Sequence, residues 1–152
     1  MTNLHKSRVW QVTVAKDYRV TLPAAVAAAY APGMEVVVAA APGGDGAGAD
    51  HWRLYAPTAW EQVALPAFAT SRTGDALRCV SSAIALPVTK TRRLTLGVAV
   101  RGLGLVLCPP APFAAVLVAF PCFCEVWPTD ALSRDLEQAM CLPAALAGLN
   151  FD

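Results

Sequence analysis

The 152-residue chain is 56% hydrophobic and 15% charged, with a formal net charge of +1. It is too apolar to be disordered, and its charge balance excludes a domain held to nucleic acid by overall basicity. It is also apolar for a lone monomer, which points to surface buried between subunits.

Taken in order, Met1 to Ser7 reads as a loose arm. Arg8 to Ala15 alternates polar and apolar residues and predicts a strand. Asp17-Tyr18 makes a turn, and Arg19 to Leu22 returns as a second strand. Pro23 suits the start of an alanine-rich helix over Ala24 to Tyr30, which Pro32-Gly33 ends. Met34 to Ala40 is a continuous apolar run, the pattern of a strand buried on both faces. Residues 42–48 form a glycine-rich loop. His51 to Tyr55 is a strand and Thr58 to Val63 a helix. Leu65 to Ser71 reads as linker, and Thr73 to Val80 as a short crossing helix. Strands follow at Ser82 to Thr89, Arg93 to Leu96, Ala114 to Phe120 and Phe123 to Trp127. A helix after Val98 is disfavoured by its glycines and prolines. Asp130 to Met140 predicts an amphipathic helix, with Leu132, Leu136 and Met140 four apart.

Two stretches of this order echo each other. Val14-Ala15-Lys16-Asp17-Tyr18-Arg19-Val20-Thr21-Leu22-Pro23 is answered by Val88-Thr89-Lys90-Thr91-Arg92-Arg93-Leu94-Thr95-Leu96-Gly97. Each reads as strand, tight basic turn, strand. Leu54-Tyr55-Ala56-Pro57-Thr58-Ala59-Trp60 is answered by Val126-Trp127-Pro128-Thr129-Asp130-Ala131-Leu132. The echoes imply an internal duplication of about 70 residues per half. The expected divisions are a first half at 8–63, a crossing segment at 64–81, a second half at 82–140 and a tail at 141–152. Charge follows the repeat. Lys6, Arg8, Lys16 and Arg19 face only Asp17 in the first nineteen residues, and Lys90, Arg92, Arg93 and Arg101 face no acid in residues 88–101.

These residues resemble the MraZ family, bacterial transcriptional regulators with two tandem AbrB/SpoVT-type swapped-hairpin units. The likeness runs through Arg19-Val20-Thr21-Leu22-Pro23, the strand around Val36, Leu54 to Glu61 and Arg78. It continues in Arg93-Leu94-Thr95-Leu96, Val116 to Ala119 and Phe123-Cys124-Glu125-Val126-Trp127. The family's turn reads Asp-x-x-Gly-Arg. Here Ala15 and Thr89 hold the Asp positions, and Tyr18 and Arg92 hold the Gly positions, where glycine would supply a positive φ. The resemblance implies an α+β, β-rich, double-split β-barrel with pseudo-two-fold symmetry. It implies a ring-type homo-oligomer acting at the nucleoid in the cytoplasm on promoter repeats of double-stranded DNA.

The basic turns are the candidate interface: Lys16, Arg19, Lys90, Arg92 and Arg93 as DNA contacts, with Lys6 and Arg8 as auxiliary ones. Such side chains lie along phosphates, and an arginine can reach a guanine edge. The alternative is that the turns are solvated charges keeping edges soluble, on a divergent paralogue that serves as a protein-interaction or assembly module without DNA binding. Tyr55 and Trp127, and likewise Trp10, Trp52 and Trp60, read as packing groups. Cys122 and Cys124 would point to one face of a strand, but no second ligand pair stands at zinc spacing. The five cysteines and the polar N-terminus instead suggest free thiols in a reducing cytoplasm. The glycine run lacks the Lys-Ser/Thr of a phosphate loop. Prolines interrupt the apolar stretch Leu103 to Cys124, against a membrane span. No nucleophile–base set recurs, so no enzyme activity, cofactor, metal or small-molecule substrate is expected.

Overall fold

The structure, a computed structural model, describes residues 8–41, 50–71, 79–97 and 109–145. Among them the chain is α+β and sheet-rich. The strands are β1 (Val9–Val14), β2 (Arg19–Thr21), β3 (Glu35–Ala40), β4 (Trp52–Tyr55), β5 (Ile84–Pro87), β6 (Arg93–Thr95), β7 (Phe113–Ala119) and β8 (Cys124–Pro128). The helices are α1 (Ala24–Tyr30), α2 (Pro57–Ala59), α3 (Leu65–Ser71) and α4 (Thr129–Ala145). All strand pairing is antiparallel, in a six-stranded sheet of order β1-β7-β8-β4-β3-β5 and a two-stranded ladder of β2 with β6.

The sheet order has a property that follows from the repeat. Exchange β1 with β5, β3 with β7 and β4 with β8, and the order reads the same from the other edge. The register obeys the same exchange: Val37 lies opposite Tyr55 and Val116 opposite Trp127, while Ile84 lies opposite Val38 and Trp10 opposite Leu117. The halves expected at 8–63 and 82–140 therefore interlock rather than sit side by side: β1 pairs with β7 and β5 with β3, so each edge strand lies against the central strand pair of the other half. A pseudo-two-fold axis passes between β4 and β8, where Arg53 faces Glu125. It also passes through the ladder, where Val20 faces Leu94.

Alternation explains the core. Val14, Val20, Leu86, Leu94, Leu117 and Val126 point inward from six different strands, joined by Val36, Val38, Trp52 and Leu54. The outward positions of β1 are Val9, Gln11 and Thr13, all exposed. The other face of the sheet holds a second cluster of Val37, Ala39, Tyr55, Trp60, Ala64 and Cys79 beneath α2 and α3. Tyr55 and Trp127 are buried, as packing groups are.

Four expectations are corrected. Residues 65–71 are helix α3, not linker. Trp60–Ala64 forms a wide π-helical turn in which the Leu65 N–H reaches back to the Trp60 carbonyl. That widening lets the helix continue past Pro66, which has no N–H to give. The boundary at 140 falls inside α4, which runs on to Ala145. Among the described side chains of α4 Ala131 is buried, whereas Leu136 is 53% exposed. Cys122 is exposed and Cys124 buried, so the two thiols do not share a face. The glycine-rich loop and the stretch after Val98 lie outside the described residues.

The described part of the apolar stretch 103–124 runs from Pro109 and contains strand β7, the turn after it and the first residue of β8. Among the described residues no helix is long and apolar enough to cross a membrane.

The pair on the axis is the main buried charge contact between the halves. Arg53 Nε donates to Glu125 Oε2 at 3.2 Å, and Trp127 Nε1 donates to Oε1 at 2.9 Å. His51 Nε2 is 3.4 Å from the same Oε2, and its ring stacks on Trp127. Burial pushes the Glu125 carboxyl up. Hydrogen bonding from His51 and Trp127, with the Arg53 charge, outweighs this and holds it below its ordinary 4.5. Because the folded value is depressed, this stabilisation is complete above that ordinary value and is lost as pH falls through the folded one. Glu125→Gln should cost about 1.5–3 kcal/mol at neutral pH. In urea unfolding followed against pH, the gap to wild type should close below the ordinary value. A pH-independent gap would show that the carboxylate charge is not what matters.

Met34 takes φ 59° immediately after Pro32-Gly33, with its side chain half exposed. Left-handed backbone is unfavourable for a side-chain-bearing residue by about 1–2 kcal/mol. Met34→Gly should therefore raise the melting temperature by roughly 2–4 °C, read by circular dichroism.

Candidate nucleic-acid interface

The two basic turns are tips on the hairpins β1–β2 and β5–β6, and their backbones match bond for bond. At the first, Tyr18 N–H donates to the Ala15 carbonyl at 2.8 Å and Ala15 N–H to the Arg19 carbonyl at 2.8 Å. At the second, Arg92 N–H donates to the Thr89 carbonyl at 2.8 Å and Thr89 N–H to the Arg93 carbonyl at 3.0 Å. Tyr18 and Arg92 have φ 62° and 65°. The positive φ expected at these positions is thus present, carried by residues that bear side chains.

Reciprocal bonds keep the strained residues in place. Leu22 N–H donates to the Arg92 carbonyl at 2.7 Å, and Leu96 N–H donates to the Tyr18 carbonyl at 2.8 Å. Each tip is therefore clasped by the strand of the other half. Tyr18 also sets its ring edge against Phe113, with centroids 6.5 Å apart.

The ladder decides where the arginines go. In β2 and β6 the central residues Val20 and Leu94 are buried and the flanking ones exposed. Arg19, Thr21, Arg93 and Thr95 therefore share one outward face. Arg19 lies opposite Thr95, and Arg93 opposite Thr21. Two residues of strand rise and one strand spacing put their Cα atoms roughly 8 Å apart. A groove of about 640 Å³ runs along this face, lined by Gln11, Thr13, Asp17, Arg19, Thr21 and Arg93 among others. A neighbouring hollow of about 430 Å³ shares Gln11 and Thr13 and reaches Thr129.

The other predicted residues are placed differently. Lys16 and Lys90 are exposed on their tips. Arg92 folds back, its Nε donating to the Leu22 carbonyl at 2.9 Å, so it braces the ladder. Arg8 precedes β1 at the end away from the tip, roughly 20 Å along the strand, and does not converge with the others. Lys6 lies outside the described residues. Gln11, Thr13, Thr21 and Thr95 lie beside the arginines but outside the basic turns that the charge pattern marks. The polar alternation of β1 was the signal for the first two.

The tips differ in how the arginine's own amide is held. Arg93 N–H donates to Thr89 Oγ1 at 3.0 Å. Ala15 has no such oxygen, and Arg19 N–H instead meets Asp17 Oδ1 at 3.2 Å. The other Asp17 oxygen takes the Arg19 guanidinium at 2.8 Å.

Elsewhere, burial pushes the Cys79 thiol up to about 11 and that of Cys124 to about 12, which leaves both unreactive as thiolates. Among the described residues no three His, Cys, Asp or Glu stand together as metal ligands would. No family model matches the chain, and no curated protein matches it.

Thr89→Ala should destabilise by about 0.5–1.5 kcal/mol in urea unfolding, the net worth of a hydrogen bond. Thr91→Ala, which removes only the outer hydroxyl bonded to Thr89 Oγ1, should cost less. Equal effects would mean that Thr89 is not the anchor of the second tip.

Proposed function

We propose that the chain is a DNA-binding transcriptional regulator of the MraZ kind, a swapped-hairpin barrel acting as a homo-oligomer on double-stranded DNA. The observation that carries this reading is the convergence of Arg19 and Arg93 on one exposed face of a two-stranded ladder. A ribbon of two strands fits the major groove of B-DNA, and an arginine is the side chain best suited to a guanine edge there. Lys16 and Lys90, on the flanking tips, are placed to follow phosphates, while Gln11 and Thr13 offer hydrogen bonds to the backbone along the groove.

Oligomerisation would raise the affinity of such a small footprint. One chain presents few cations, but several chains on one duplex gain through effective concentration. Exposed Val9, Val63, Leu65, Phe120 and Leu136 are apolar surface that subunit contacts would cover.

The experiment is fluorescence anisotropy with duplex DNA selected from a random pool, repeated over a range of salt. Lys16 and Lys90 on phosphates, with Arg19 and Arg93 adding at most two more neutralised charges, set a log–log slope of roughly −2 to −4 for each bound chain. A flat salt response, or no binding at low salt, would overturn the proposal. An assembly module without DNA contact would then stand in its place.

A further inference from the structure

The two tips share a backbone but not a charge. The first carries Lys16 and Arg19 against Asp17, a net +1, while the second carries Lys90, Arg92 and Arg93, a net +3. Where the first tip has Ala15 and Asp17, the second has Thr89 and Thr91. At the second tip a neutral hydroxyl holds the Arg93 amide, and no ion pair engages Arg93 among the described residues. At the first tip Asp17 does two jobs. One oxygen closes the turn on the Arg19 amide, and the other takes the Arg19 guanidinium. Asp17 also lines the groove that an incoming phosphate chain would follow.

We infer that Asp17 is a restraint on Arg19, so that the Arg93 tip leads contact with the duplex and the chain docks with a fixed polarity. The inference rests on the DNA-binding reading above. The physical grounds are local. Asp17 holds one terminal nitrogen of Arg19 in a charge-assisted hydrogen bond, which must loosen before the guanidinium can turn its full fork to a guanine edge. The carboxylate it releases would then face phosphates of like charge. Arg93 meets neither cost. The pair is exposed, so its effect on stability is small, but at the binding face the same carboxylate acts on the ligand directly. A pseudo-two-fold ribbon would otherwise offer both strands of the duplex equal arms. Asp17 makes the arms unequal.

The test uses the full chain and the same anisotropy assay at fixed salt. Arg93→Gln should weaken binding by about tenfold or more, the discrimination of one good guanine contact. Arg19→Gln should weaken it by less than about threefold. Asp17→Asn keeps an oxygen for the Arg19 amide and removes the charge, and it should tighten binding several-fold. Ala15→Thr with Asp17→Thr copies the second tip onto the first. It should also tighten binding, and in that background Arg19→Gln should cost as much as Arg93→Gln. Equal losses for the two arginines in the parent chain, or no gain from Asp17→Asn, would overturn the restraint while leaving DNA binding in place. A parent chain that binds no duplex at low salt would remove both readings together.

Discussion

At one place in the sheet a residue of the first half faces its own counterpart in the second. Arg53 and Glu125 are that pair, and their contact is the constraint on which the rest of the fold depends. If the halves were identical, like would face like there, and two charges of one sign would lie opposite each other in a largely buried setting. Joining the halves in one chain lets one position be basic and the other acidic. Trp127 and His51 complete the site by occupying the remaining carboxylate positions. A buried pair satisfied in this way favours pairing of β4 with β8 over pairing of either strand with a copy of itself. The energy of the pair alone is modest, because desolvation offsets much of the attraction. Its larger effect is on which partner each strand accepts.

From that central contact the chain grows outward on both sides in matching steps. β3 and β7 lie beyond β4 and β8, then β5 and β1, and the hairpins from those edges return as β6 and β2. The ladder is short, with three residues per strand. Its strength comes from what surrounds it. Val20 and Leu94 are buried beneath it, the Leu22 and Leu96 amides clasp the opposite tips, and Arg92 spans from one half to the carbonyl of the other. These contacts hold two left-handed residues that would otherwise relax. The tips are therefore rigid supports for their arginines, the arrangement that suits a recognition surface.

Much of this was legible in the residues and some was not. The echoes located both hairpins, the apolar runs located the strands around Val36 and Val116, and the resemblance to a glycine-bearing turn marked the positions that take positive φ, because turn chemistry is local. The echo also set Arg53 over Glu125, since Leu54 matches Val126. It could not show that the two touch, because equivalence in a repeat says nothing about contact across its axis. Helix α3 was hidden by Pro66, which ends a regular helix but is tolerated after a π-helical turn, and that turn has no local signature. Arg92 looked like one more free cation. Only the geometry reveals that it is spent on Leu22. Asp17 read as a single opposing charge, and its double attachment to Arg19 depends on Ala15 lacking an oxygen, a relation visible only once the tips are superposed.

The same reasoning explains where asymmetry can enter a structure of this kind. Backbone differences between the halves would disturb the ladder register, because each tip is held by amides of the other. Side chains that face outward are under no such control. At the tips, Asp17 and Thr91 occupy equivalent places and both are exposed to solvent. The fold thus keeps the two arms congruent in path and leaves their charge free to differ. One exposed carboxylate can therefore make two congruent arms unequal in charge at almost no cost in stability, while the buried pair on the axis holds the halves that carry them against each other.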